Sequence, residues 1–201
     1  MNAHDLFGDI DIYLFDQILK NQFTAQTSVL DAGCGGGRNL VYFLRSGCRV
    51  FGVDRDPEAV RCVREMARYL APTLSAANFQ VSAIEAMPFP DEHFDLVISN
   101  AVLHFADDER QFDAMLAEMW RTLKPSGMMF VRLASTIGIE DKIGLIENRR
   151  YFLPDGSERF LVDEQLLIET TNRLGGVWAE LLKTTNVQNL RSMTTWIIRK
   201  Q

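Results

Sequence analysis

Ser28-Val29-Leu30-Asp31-Ala32-Gly33-Cys34-Gly35-Gly36-Gly37-Arg38 is the stretch on which the fold turns. Ser28 to Asp31 reads as a short apolar strand ending on an acid. Behind it come four glycines in five positions, Gly33 and Gly35 to Gly37. Asn39 to Arg45 then reads as helix, and Arg49-Val50-Phe51-Gly52-Val53-Asp54 as a second strand that also ends on an acid. Strand, glycine turn, helix and strand in this order make a parallel unit, because two parallel strands need a crossover between them.

The same alternation continues outward. Asp56-Pro57-Glu58 opens a helix, with Asp56 as N-cap and Pro57 at the first helical position, running to about Leu70. Asn78 to Ser82 and Phe94 to Ser99 are the third and fourth strands. A helix from about Asp108 to Leu123 is broken by Lys124-Pro125-Ser126-Gly127, and Met128 to Leu133 is the fifth strand. Residues 135 to 162 are less regular. Asp163 caps a helix to Leu174 that Gly175-Gly176 stops. Ala179 to Asn186 and Met193 to Arg199 lie too close for a helical crossover, which predicts an antiparallel hairpin. Upstream, Gly8 to Lys20 carries Ile10, Tyr13, Leu14 and Ile18 at helical spacing. The expectation is an α/β fold: a Rossmann-like, doubly wound, mostly parallel sheet of seven strands closed by an antiparallel C-terminal hairpin.

Composition bounds the function. With 201 residues, 47% hydrophobic and 24% charged, the chain suits one soluble α/β domain over 1–201. A net charge of -6 argues against nucleic-acid and membrane-surface partners, although a local basic patch fits inside an acidic total. The three cysteines, Cys34, Cys48 and Cys62, lack metal or disulfide spacing, and His4 and His93 have no companions at ligand spacing, so no metal is expected. A start without basic residues or a long apolar run, and no later span of membrane length, point to a cytoplasmic protein.

Ligands of open α/β sheets bind at the carboxyl ends of the strands, where Gly33, Gly35 and Gly37 fall. Asp54, 21 residues after Gly33, stands where a carboxylate accepts both ribose hydroxyls. Loop and acid together indicate an adenosine ligand. The dinucleotide fingerprint GxGxxG would need its last glycine where Arg38 stands.

The pattern Asp-x-Gly-x-Gly-x-Gly resembles the first motif of class I S-adenosylmethionine-dependent methyltransferases, with some local likeness to the tellurite-resistance group. Val53-Asp54-Arg55-Asp56 looks like that family's ribose-binding strand. Met87-Pro88-Phe89 with Phe94-Asp95-Leu96-Val97, and Leu123-Lys124-Pro125-Ser126-Gly127, resemble its approaches to the fourth and fifth strands. The resemblance implies S-adenosyl-L-methionine as cofactor. Gly33, Cys34, Gly35 and Gly37 would border its methionine portion, Asp31 would order the loop or meet the amino group through water, and Asp54 with Arg55 would lie at the ribose. Ala83, Ile84 and Glu85 would run along the adenine. Many relatives carry Asp where this chain has Ala83, which removes a side-chain partner for the adenine amino group. Asn100 would stand beside the methyl group, followed by Ala101-Val102-Leu103 instead of the Pro-Pro-aromatic run of DNA-amino methyltransferases.

Methyl transfer from a sulfonium is an in-line displacement that expels a neutral group, so positioning at about 3 to 3.5 Å supplies much of the catalysis. His104 is the candidate for a general base or a polar wall of the acceptor site, against a purely structural role. The acceptor is expected to be a small molecule. Residues 1–26 form a helical cover, and 135–162 an insertion on the acceptor side. Within it Arg149-Arg150-Tyr151-Phe152 and Arg159-Phe160 offer cations and aromatic walls for an anion, or else a solvated loop. The rival readings are a catalytically silent cofactor-binding regulatory or scaffolding protein and a nicotinamide-dependent oxidoreductase.

Overall fold

The computed structural model describes residues 2–21 and 23–201. Strands β1 (Ser28–Ala32), β2 (Arg49–Asp54), β3 (Phe79–Val81), β4 (Phe94–Asn100) and β5 (Leu123–Ala134) are parallel and lie side by side in the order β3-β2-β1-β4-β5. Every residue of β1 is buried, as expected of a central strand covered on both faces. A second, antiparallel sheet holds β6 (Gly144–Glu147), β7 (Arg150–Phe152) and β8 (Glu158–Phe160). The main sheet is completed by β9 (Gly176–Trp178), β10 (Lys183–Val187) and β11 (Arg191–Lys200). β11 runs antiparallel to β5, and both β9 and β10 pair with it. Gln188 and Asn189 take φ of +53° and +57° at the β10–β11 turn, the backbone a tight hairpin needs. The α/β class, the parallel sheet and the closing hairpin therefore match expectation.

Helices α1 (Ala3–Phe7), α2 (Ile12–Lys20), α3 (Val41–Arg45), α4 (Pro57–Leu70), α5 (Glu109–Thr122) and α6 (Glu164–Arg173) complete the chain. One apolar cluster joins Leu14, Phe43, Val60, Phe79 and Phe130, and a second joins Phe94, Phe112, Leu167 and Trp196. The buried Trp196 indole donates to Thr171 Oγ1 at 3.0 Å, tying α6 to β11 without an orphaned N–H. No helix of the described residues is long and apolar enough to cross a membrane.

Four expectations need correction. The helix expected over 8–20 begins only at Ile12, where Asp11 caps it, and a separate short helix, α1, precedes it and ends on Gly8 at φ +59°. The strand expected over 179–186 begins only at Lys183, as β10, and the unexpected β9 (Gly176–Trp178) just ahead of it raises the main sheet from seven strands to eight. The break at Lys124-Pro125-Ser126-Gly127 falls within β5, where a register shift against β4 between Phe94 and Leu96 absorbs it. Residues 135 to 162 are more regular than their pattern suggests: β6 is exposed at all four positions, so no alternation of burial marks it.

Asp11 fixes α2 in place. Its buried carboxylate accepts from the Tyr13 and Leu14 amides at 2.9 and 3.4 Å and from Arg132 Nη1 at 2.6 Å. Its own amide donates to Asn39 Oδ1 at 3.1 Å. Cap and ion pair share one carboxylate, so Asp11→Ala should lower unfolding stability by about 2–4 kcal/mol in denaturant melts. Replacing Arg132 by Met in the same chain should recover part of that loss; an additive further loss would contradict the pairing.

Candidate active site

The glycine loop folds back instead of running on. The amides of Gly33 and Cys34 both donate to the Val53 carbonyl at 2.9 Å, pinning the end of β1 to the end of β2. Gly33, Gly35 and Gly37 adopt φ of +86°, +50° and +83°, where a side chain is strained. A Cβ at Gly33 would meet Val102 Cγ2 at 2.5 Å, and one at Gly37 would overlap Met66 and Val63. At Gly35 and Gly36 it would meet nothing within 4 Å. Two glycines thus serve packing, and two face open space.

That space is a cleft of about 500 Å³ at the carboxyl ends of β1, β2 and β4. Gly33, Cys34, Gly35, Asp54, Arg55, Ala83, Ile84, Glu85 and Asn100 line it. Asp54 is oriented by two amides: Gly35 N–H donates to its Oδ2 at 2.8 Å and Asp56 N–H to its Oδ1 at 3.0 Å. Gly37 and Asp31 lie behind the lining. Asp31 is buried, its Oδ1 has no hydrogen-bond partner, and burial pushes its carboxyl from 3.8 up to about 8. Arg38 opposes that rise and Asp54 adds to it. An orphaned carboxyl oxygen beneath an open glycine loop suits a ligand that brings a cation or an N–H donor. The Cys34 thiol is buried, its pKa is driven up by that burial, and it stands where a Cβ on Gly52 would touch, so it fills space.

Other lining residues carried no motif. Gln111 on α5 donates to Glu85 Oε1 at 2.5 Å and accepts from the Asp107 amide at 2.7 Å, bracing the cleft wall. Met115 follows it at i+4 on the same face of the helix. Gly36, Arg38, Asn39, Ser82, Ala101, Val102 and Phe105 complete the lining. Ala101 holds φ +62°, a left-handed conformation rare for a residue with a side chain, at the point where β4 ends on the cleft.

His104 is not in this lining. It borders a second cavity of about 270 Å³ that shares Arg38, Asn100 and Ala101 with the first. Its Nδ1 accepts from the Ala134 amide at 3.2 Å, and burial, reinforced by Arg159 and Arg191, lowers its pKa to about 4. The ring is neutral, with its proton on Nε2. Of the arginines in the inserted sheet, Arg149 pairs with Glu109 and Asp163, and Arg150 lies beside Asp107 and Glu158. Phe160 is buried against Phe112. Only Arg159 of that stretch's cations faces the second cavity. Among the described residues, no group of three or more His, Cys, Asp or Glu side chains could hold a metal ion.

The family model for a methyltransferase domain matches residues 30–131, from β1 into β5. The chain belongs to the methyltransferase-domain family. The resemblance to class I S-adenosylmethionine-dependent methyltransferases drawn from the motifs is borne out. An uncharacterized methyltransferase of Bacillus subtilis is 35% identical over 112 residues, 56% of this chain and 42% of that protein. A malonyl-[acyl-carrier protein] O-methyltransferase of Pseudescherichia vulneris is 30% identical over 154 residues, 75% of this chain and 55% of that one. The chain thus spans about half the length of these curated relatives. A crystal structure of an S-adenosylmethionine-dependent methyltransferase from Methanosarcina mazei shares the fold with a TM-score of 0.74 at 20% identity, over 91% of this chain and 96% of that one.

Asp31 gives the site a pH signature. Its folded pKa lies above its unfolded value, so the native state holds a proton that the unfolded chain releases between about pH 4 and pH 8. Stability should therefore fall as pH rises through that window, by up to about 1.4 kcal/mol per pH unit from this group. Asp31→Asn should flatten the decline in thermal melts between pH 5 and 8; an unchanged slope would show that Asp31 titrates normally.

Proposed function

We propose that this chain transfers a methyl group from S-adenosylmethionine to a small-molecule acceptor by in-line displacement. The observation that carries the reading is the division of the loop: Gly35 and Gly36 face open space beside Asp54, while Gly33 and Gly37 are packed shut. When bound, S-adenosylmethionine supplies an electrophilic methyl on a sulfonium whose leaving thioether is neutral, so no acid is asked of the protein.

The chain's own residues bind and position. The Gly35 and Gly36 backbone allows close approach, and Asp54 is set to accept ribose hydroxyls. The backbone of Ile84 and the carboxylate of Glu85 lie along the adenine, which compensates for Ala83 having no polar group. Asp31 serves the amino group directly or through water. Asn100 and Ala101 border the acceptor, with Ala101 in a left-handed backbone conformation. His104 acts as a hydrogen-bond donor in the acceptor wall: its Nδ1 lone pair is occupied and its Nε2 carries the proton, which leaves no free site for a base. Residues 2–21, anchored through Asp11, and residues 135–162 flank the acceptor side. A cytosolic place without nucleic-acid partners belongs to the same proposal.

Isothermal titration should show S-adenosylhomocysteine binding and NAD failing to bind; the reverse result would sink the assignment. Asp54→Ala should weaken S-adenosylhomocysteine by about 1–3 kcal/mol through lost charged hydrogen bonds. Gly35→Val should cost only about 1–2 kcal/mol of folding stability from its left-handed backbone, yet block the ligand. A Gly35→Val variant that binds normally would remove the loop from the site. Transfer of labelled methyl to a metabolite pool separates an enzyme from a silent cofactor-binding relative.

A further inference from the structure

The second cavity opens from the cofactor cleft through Arg38, Asn100 and Ala101, and its charge is one-sided. Arg38, Arg132, Arg159 and Arg191 line it against a single carboxylate, Asp155. Such a cluster inside a chain of net charge -6 is a local inversion of the protein's own field. Guanidinium groups present forked N–H donors that match the two oxygens of a carboxylate or phosphate. Three of these arginines are held in place by neighbouring groups. Arg132 is clamped by Asp11 at 2.6 Å, Arg38 donates to Asn100 Oδ1 at 3.0 Å, and Arg159 lies over the Phe105 ring at 4.7 Å. Arg159 and Arg191 form no ion pair with a carboxylate among the described residues, whereas Arg149 and Arg150 of the same inserted sheet both do. The one carboxylate is partly spent: Asp155 Oδ1 accepts from both the amide and the hydroxyl of Ser157.

Asn100 supplies an independent observation. It is 8% exposed, and the bond from Arg38 fixes its Oδ1, so its Nδ2 is left as a buried donor with no partner. That donor stands at the junction of the two cavities. An orphaned N–H beside a cluster of cations calls for an acceptor atom carrying negative charge.

We infer that the second cavity receives the oxyanionic end of the methyl acceptor, which makes the acceptor a small molecule bearing a carboxylate or phosphate group. The inference rests on the methyl-transfer reading for the word acceptor; the anion pocket itself stands on the arginines and Asn100. Leu153, Val187 and Met193 give the cavity an apolar side, so the anionic group sits on a compact apolar body.

The test is a titration of the full chain with benzoate and with phenyl phosphate, each run with and without S-adenosylhomocysteine. Benzyl alcohol and benzyltrimethylammonium serve as neutral and cationic controls. At least one anion should saturate, with dissociation constants of order millimolar or below, while both controls fail to bind. The two anion arms decide between carboxylate and phosphate. Arg191→Gln, exposed and unpaired, should fold with an unchanged melting temperature and weaken the anion about tenfold or more. Arg159→Gln should do the same, and Arg191→Lys should weaken it less than Arg191→Gln. Equal binding of anion and controls, no saturation by either anion, or full anion affinity in Arg191→Gln would each overturn the inference. Loss of S-adenosylhomocysteine binding with intact anion binding would sink the methyl-transfer reading alone and leave the anion pocket in place.

Discussion

Two amides on one carbonyl set the geometry on which the site depends. With Gly33 and Cys34 both bonded to Val53, the chain leaving β1 must cross toward β2. That crossing drives Gly33 against Val102 and Gly37 against Val63 and Met66, where no side chain fits. It also brings the Gly35 amide onto Asp54, so the acid that ends β2 is already oriented before any ligand arrives. The cleft is therefore a consequence of loop packing: the open face at Gly35 and Gly36 is what remains once the other two glycines are buried.

The legibility of the sequence follows the same division. The β1-to-β2 unit, the capped helix at Asp56 and the succession of five strands along the chain were readable because each depends on local chemistry: apolar runs, glycines and caps. The three-stranded inserted sheet was not, since β6 is exposed throughout and its pairing with β7 is irregular at Leu145 and Glu147. The late start of α2 was hidden because the apolar spacing already begins at Ile10, ahead of the Asp11 cap. The cap there is long-range in purpose, since Asp11 also answers Arg132, 121 positions away.

The first cavity was more legible than the second for a related reason. Asp31, the glycines, Asp54 and Ala83 to Glu85 sit at strand ends in fixed order, so sequence distance reports spatial distance. The second cavity draws Arg38 from the loop after β1, Arg132 from β5, Arg159 from the inserted sheet and Arg191 from β11. No spacing rule unites them. Arg38 was visible only as a missing glycine, yet it borders both cavities and orients Asn100. Arg149 and Arg150 made the more conspicuous sequence signal, and the structure commits both to ion pairs with nearby carboxylates.

The two cavities differ in charge balance, and that difference bears on which ligand each would favour. Asp54 and Glu85 line the first together with Arg38 and Arg55, with the orphaned Asp31 oxygen behind it; four arginines face a single carboxylate in the second, with the orphaned Asn100 amide at the junction. An anion lowers its energy more in the arginine-rich second cavity than in the charge-balanced first, so the two cavities favour different ligands. Each also supplies a partner that the empty chain lacks: a donor for Asp31 and an acceptor for Asn100. Because an unmade buried hydrogen bond costs more than a made one contributes, both orphans favour the doubly occupied state over either half-filled one. Shared Arg38 and Asn100 couple the two halves directly, since the bond between them fixes which atom of the amide is left to meet the second ligand.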